Sequence, residues 1–145
     1  MVSILQVAKY ILQKCGTMTT MKLQKIAYYC QAWSLAWDEK PLFNEDFYAW
    51  ANGPVSTVLF HKHKGEFEAT LDMYADVPDG DFNSEQIDTM NSVIKYYGNR
   101  SPLWLSELTH KELPWREARG NTPAGEACNK VIKKQTMQDY YSSVR

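Results

Sequence analysis

The sequence predicts a mainly α-helical, compact single domain: a bundle of about six to eight helices with at most a minor short β-hairpin near residues 66–82. Three observations carry this. Apolar residues recur at three-to-four spacing through most of the chain, residues suited to helix caps precede these runs, and Gly or Pro punctuates them. The chain of 145 residues has room for one domain, and a chain of this size buries roughly 70% of the surface its unfolded form exposes, so a core can form without metals or disulfides. The expected domain spans residues 1–145, with 121–145 as a C-terminal helical tail.

The elements follow in chain order. Over residues 4–14, Ile4, Ala8, Ile11 and Leu12 share a stripe, with Ser3 as N-cap and Gly16 as the stop. A second helix runs from Thr19 or Thr20 to about Trp37 on Leu23, Ile26, Ala27, Cys30, Ser34 and Trp37. The line Tyr29, Trp33, Trp37 beside these makes it apolar over much of its circumference and therefore central. After Pro41, Asn44-Glu-Asp caps a short helix through Trp50, with a strand as the alternative. Gly53-Pro54 reverses the chain and places Pro at the first position of a helix over 54–64, with Val55, Val58 and Leu59 inward.

Ala69, Leu71 and Met73 alternate like a strand before the turn Pro78-Asp-Gly-Asp. Ser84 opens a helix bearing Ile87, Met90, Val93, Ile94 and Tyr97 that Gly98 ends. Ser101-Pro102 starts the next through Leu103, Leu105 and Leu108, and Pro114 begins a short turn around Trp115. Thr122-Pro123 introduces a helix with Ala127, Val131 and Ile132, and a last one runs from Gln135 to Tyr140 and Tyr141.

Charge is unevenly distributed. Glu66, Glu68, Asp72, Asp76, Asp79, Asp81, Glu85 and Asp88 fall in residues 65–92 with no Lys or Arg, while the flanking regions are net basic and the whole chain sums to −1. The acidic middle is either a solvated loop and helix start or a docking face for a basic partner. Lys9, Lys14, Lys22 and Lys25, and Lys130, Lys133 and Lys134, are too sparse to predict nucleic-acid binding. No stretch approaches about 18 consecutive apolar residues, and the first residues lack a signal-peptide pattern, so no membrane association and a cytoplasmic location are expected. Cys15, Cys30 and Cys128 read as reduced thiols, the first two on apolar helical faces.

Chemistry is sparse. The glycines form no phosphate-binding loop. His61 and His63 stand about 200° apart on a helix and cannot share a metal there, so they read as a basic, solvated helix end. His110, between Glu107 and Glu112, has the composition of a general acid or base, but a lone His more often cross-links a loop. No cofactor, metal or catalytic residue is expected. Trp33, Trp37, Trp50, Trp104 and Trp115 are candidates for ligand platforms or interface anchors, with core packing the default for at least three of them.

Three blocks are distinctive together: Met21-Lys-Leu-Gln-Lys-Ile-Ala-Tyr-Tyr-Cys-Gln-Ala-Trp, Ala49-Trp-Ala-Asn-Gly-Pro-Val55, and Leu105-Ser-Glu-Leu-Thr-His-Lys-Glu-Leu-Pro-Trp115. In this order they resemble the Panacea, or SocA-like antitoxin, domain family, over roughly residues 1–120. The resemblance implies a mainly helical antitoxin of bacterial or phage origin, part of a toxin–antitoxin system or a phage-defence locus, which neutralises a cognate toxin by direct contact. Two alternatives accompany it: an adaptor that delivers the bound toxin to the ClpXP protease, and an enzyme that reverses the toxin's product through His110. The motif residues Leu23, Ile26, Ala27, Trp33, Trp50, Gly53, Pro54, His110 and Trp115 are expected to serve the fold. Contacts with the partner are expected from Glu66, Glu68, Asp72 and Asp76 and from Tyr140 and Tyr141.

Overall fold

A computed structural model describes residues 1–144 as a helical bundle built around one enclosed helix. Helix α1 (Ile4–Cys15) begins with a capping box, in which Ser3 Oγ accepts from Gln6 N and Gln6 Oε1 from Ser3 N. Its buried stripe Ile4, Val7, Ala8, Ile11 and Leu12 packs on helix α2 (Thr20–Trp33), which Thr19 caps. Residues 23–32 of α2 are all buried, because α1, α4 (Ser84–Tyr97), α5 (Pro102–Lys111) and α7 (Lys134–Ser143) surround it. A π-helical turn, Ser34–Asp38, prolongs it until Glu39 adopts a left-handed conformation.

Two small antiparallel sheets complete the frame. Strand β1 (Met18–Thr19) pairs with β4 (Glu68–Ala69), and β2 (Tyr48–Trp50) pairs with β3 (Gly53–Val55) in the register Tyr48 to Val55, Ala49 to Pro54 and Trp50 to Gly53. The hairpin therefore lies at 48–55. Residues 66–82 instead send β4 across to β1, place Leu71 and Met73 in a 3₁₀ turn (Leu71–Tyr74), and lay the Pro78 turn along α1 through Lys9 Nζ to Val77 O (2.6 Å).

Other boundaries are corrected. The segment 44–50 contains a strand rather than a helix. Helix α3 (Thr57–His63) starts three residues later than expected, with Ser56 as its cap, because Gly53 and Pro54 are committed to β3; Val58 is consequently exposed while Leu59 is buried. Helix α4 opens at Ser84 as expected, with Asn83 as its cap in a box with Gln86. Helix α6 (Leu113–Arg119) forms around Trp115 as expected.

The helix expected after Thr122-Pro123 does not form. Its backbone groups are engaged elsewhere: Ala49 N donates to Lys130 O and Ile132 N to Phe47 O, so this stretch adds to the free side of β2. The buried Arg119 guanidinium ties it down through Ala49 O, Pro123 O and Glu126 O. Only Ile132 of its three expected inward residues is buried.

Candidate functional site

The first turns of α2 place Gln24 and Lys25 where a helix enclosed on all sides has no solvated face to offer them. Gln24 is fully used: its Oε1 accepts from Ser56 N (2.8 Å), and its Nε2 donates to Ser56 O (3.0 Å) and lies 3.1 Å from His63 Nε2. The amide thus locks the β3–α3 junction onto α2. With Gln24 as donor, His63 Nε2 is the acceptor and the ring is neutral; burial also lowers its pKa, with Lys25 a smaller contributor. His63 is buried and is not part of a solvated helix end.

Lys25 is 1% exposed and donates to Pro54 O at 3.2 Å. Burial alone brings its amine down to about 7. The backbone is shaped around the side chain: a Cβ on Gly53 would stand 2.5 Å from Lys25 Cε and 2.9 Å from Thr109 Oγ1, and Gly53 holds φ +117°. These groups adjoin a cleft of about 830 Å³ between α2, the hairpin, α3 and the 125–129 stretch. Met21, Trp50, Val55, Phe60 and Ala127 supply apolar lining, and Lys25 contributes to it as well. Trp50 Nε1 donates to Asn129 Oδ1 at the same place (3.0 Å).

A second polar cluster is enclosed further along α2. Glu112 Oε1 accepts from Tyr29 OH and Tyr141 OH, each at 2.7 Å, and the Tyr28 and Tyr141 hydroxyls lie 3.1 Å apart. Burial raises the Glu112 carboxyl above its ordinary value despite both phenol donors. Tyr29 stacks on Tyr97, whose hydroxyl receives Trp33 Nε1. Gln31 repeats the device of Gln24, clamping the backbone at Leu42 and Phe43.

The motif residues converge on these two clusters. Leu23, Ile26 and Ala27 are fully buried, Trp33 partly so, and Trp115 Nε1 donates to Trp50 O (2.9 Å) to tie α6 to the hairpin. His110 stacks on the Trp115 ring at 4.1 Å, and burial, then Lys25 and Arg119, lower its pKa. Glu112 faces the tyrosines rather than forming an acid–base pair with this ring. His110 Nε2 is buried without a hydrogen-bond partner among the described residues.

Glu66, Glu68, Asp72 and Asp76 are exposed, and Asp76 is bonded to Lys62 (2.6 Å). Tyr140 is half-buried, whereas Tyr141 is 1% exposed and belongs to the core through Glu112, so it is not a surface residue. Cys30 is buried, but Cys15 is exposed because it lies at the end of α1, where the apolar stripe has passed the core. Lys25 and Gln24 are site residues that sequence reasoning misses: on their own helix they read as a polar face, and their burial comes from the elements packed around α2.

Among the described residues, no group of three His, Cys, Asp or Glu is placed to hold a metal ion, and no helix is long and apolar enough to cross a membrane. No curated protein and no solved structure matches the chain. A family model does, over residues 23–116, which take in almost all of the three motif blocks and both polar clusters except Met21, Lys22 and Tyr141. With that match covering well over half of its length, the chain belongs to the antitoxin SocA-like, Panacea domain family.

Proposed function

We propose that the protein is a non-enzymatic antitoxin that neutralises a cognate toxin in the cytoplasm by direct, stoichiometric contact. The observation that carries this is the family match over residues 23–116. The partner is a protein with a basic surface, and the contact lies on the acidic segment at β4. Thr20 N and Oγ1 hold the backbone there through Phe67 O, leaving the Phe67 ring 78% exposed between Glu66 and Glu68. An aromatic anchor within a charged rim suits an interface in which the ring supplies affinity and the carboxylates steer encounter. Asp76, Asp79 and Glu85 are already paired with Lys62, Lys9 and Lys40, so Glu66, Glu68 and Asp72 are the freer carboxylates.

The test is co-expression with the toxin encoded beside it, scored by growth rescue and co-purification in hosts with and without the ClpXP protease. Direct inhibition predicts rescue and a stoichiometric complex in both hosts. Rescue that requires the protease would identify an adaptor instead, and substoichiometric rescue abolished by His110→Ala would identify an enzyme. Replacing Glu66, Glu68 and Asp72 with Lys and Phe67 with Ala should abolish rescue with the helical signal unchanged; intact rescue and unchanged salt dependence would remove this face from the proposal.

A further inference from the structure

The amine of Lys25 has an unfinished environment. An ammonium carries three donors, and the polar partner of this one is Pro54 O. Among the described residues it forms no ion pair, and its pKa is moved by burial with no neighbouring carboxylate acting on it. Enclosing an ammonium without a counter-charge is costly. The fold nevertheless makes room for this side chain at Gly53, where any larger residue would collide with it.

The cleft beside Lys25 has the size and lining of a small-molecule site, with a mainly apolar wall and few polar groups. We propose that it binds a small free carboxylic acid with a flat apolar body, its carboxylate on Lys25 Nζ and its body against Trp50, Phe60 and Met21. One amine matches one singly charged carboxylate; a phosphate dianion calls for an Arg fork or an array of backbone N–H groups. Gln24 is already spent on Ser56. Asn129 gives its carbonyl oxygen to the Trp50 indole, which leaves its NH₂ as a second donor at the mouth of the cleft.

The other groups around the amine are uncharged at neutral pH. His63 on α3 and His110 on α5 are both held toward the neutral form by burial, and Thr109 and the Gly53-Pro54 backbone carry no charge. Arg119 on α6 also acts on His110, after Lys25. Binding of the acid therefore favours the protonated amine and draws a proton from solution.

Isothermal titration of the full chain with phenylacetate and indole-3-acetate, against their neutral amides, tests this. The acids should bind at least about tenfold more tightly than the amides, a preference that one charge-assisted hydrogen bond supplies. Lys25→Met should erase the preference, and Ala127→Phe, at an exposed position lining the cleft, should weaken all four compounds. If Lys25→Met does not fold, the wild-type chain alone still decides between the outcomes: comparison of buffers should show uptake of about one proton per acid bound near pH 8. Equal binding of acids and amides, no acid binding up to millimolar concentration, or zero proton uptake would overturn the proposal.

Discussion

Gly53→Ala is the sharpest test of how the hairpin is joined to α2. The added methyl would meet Lys25 Cε at 2.5 Å, Thr109 Oγ1 at 2.9 Å and Lys25 Cδ at 3.3 Å, on a backbone at φ +117°. Thr109 cannot easily turn away, because its hydroxyl donates to Ser106 O (2.7 Å), and Lys25 can move only by giving up Pro54 O. Backbone strain of this kind costs about 1–3 kcal/mol, and overpacking adds about 1–3 kcal/mol. The expected loss is about 4 kcal/mol, a large share of a typical domain's total stability, and lowers Tm by about 12 °C at roughly 3 °C per kcal/mol for a chain of this size. Urea unfolding followed by circular dichroism should show a lower midpoint with an unchanged slope. On a Lys25→Ala background the steric part should shrink by about 1–2 kcal/mol and leave the backbone part, which makes a double-mutant cycle. A cost below about 1 kcal/mol, or one undiminished without the Lys25 side chain, would refute this account of the joint.

Two further outcomes concern pH. The amine of Lys25 lies at about 7 in the folded chain and at its ordinary, higher value in the unfolded one. Between the two the unfolded chain holds more protons, so stability rises with pH; the wild type should gain about 2 kcal/mol on Lys25→Met between pH 7 and 9. Parallel stability curves for the two proteins would contradict the burial of that amine. Glu112 has the opposite sign: its carboxyl is raised, so the contribution is complete below the ordinary carboxylate range and is lost as pH rises through the folded value. The advantage of wild type over Glu112→Gln in chemical denaturation should therefore shrink from acid toward neutral pH, and an advantage that grows would mean that the Tyr29 and Tyr141 hydrogen bonds outweigh burial.

The helices were legible where periodicity and caps coincide. Ser3 and Gly16 bound α1, Ser101-Pro102 starts α5, and the broad apolar circumference of α2 correctly marks the centre. The β2–β3 hairpin was obscured because three-residue strands are too short to establish an alternation, and because Gly53-Pro54 is as compatible with a helix start as with the end of a turn. The stretch after Thr122 carries helix-start signals, but its structure depends on Arg119, Ala49 and Phe47, which local reading does not connect to it. Lys25 and Gln24 had the appearance of a polar helix face. Their burial is fixed by the elements around α2, so the site built on them had no local signature.

Lys25, Gly53 and Thr109 come from three different motif blocks, yet one missing methyl group lies within contact distance of both other side chains. The blocks therefore encode a single joint that holds α2, the hairpin and α5 together. This joint is not the whole folding unit, because Glu112 at the end of α5 depends on Tyr141 from α7, outside residues 23–116, for one of its two phenol donors. Helix α1 and helix α7 both supply core residues to α2 from beyond the family match. Motif and fold thus differ in extent. The motifs fix a buried polar joint, while Phe67 and the neighbouring carboxylates of Glu66 and Glu68 are exposed at β4 and belong to none of the three blocks. On the proposed reading, the surface that meets the toxin is thus separate in sequence from the joint that holds the fold.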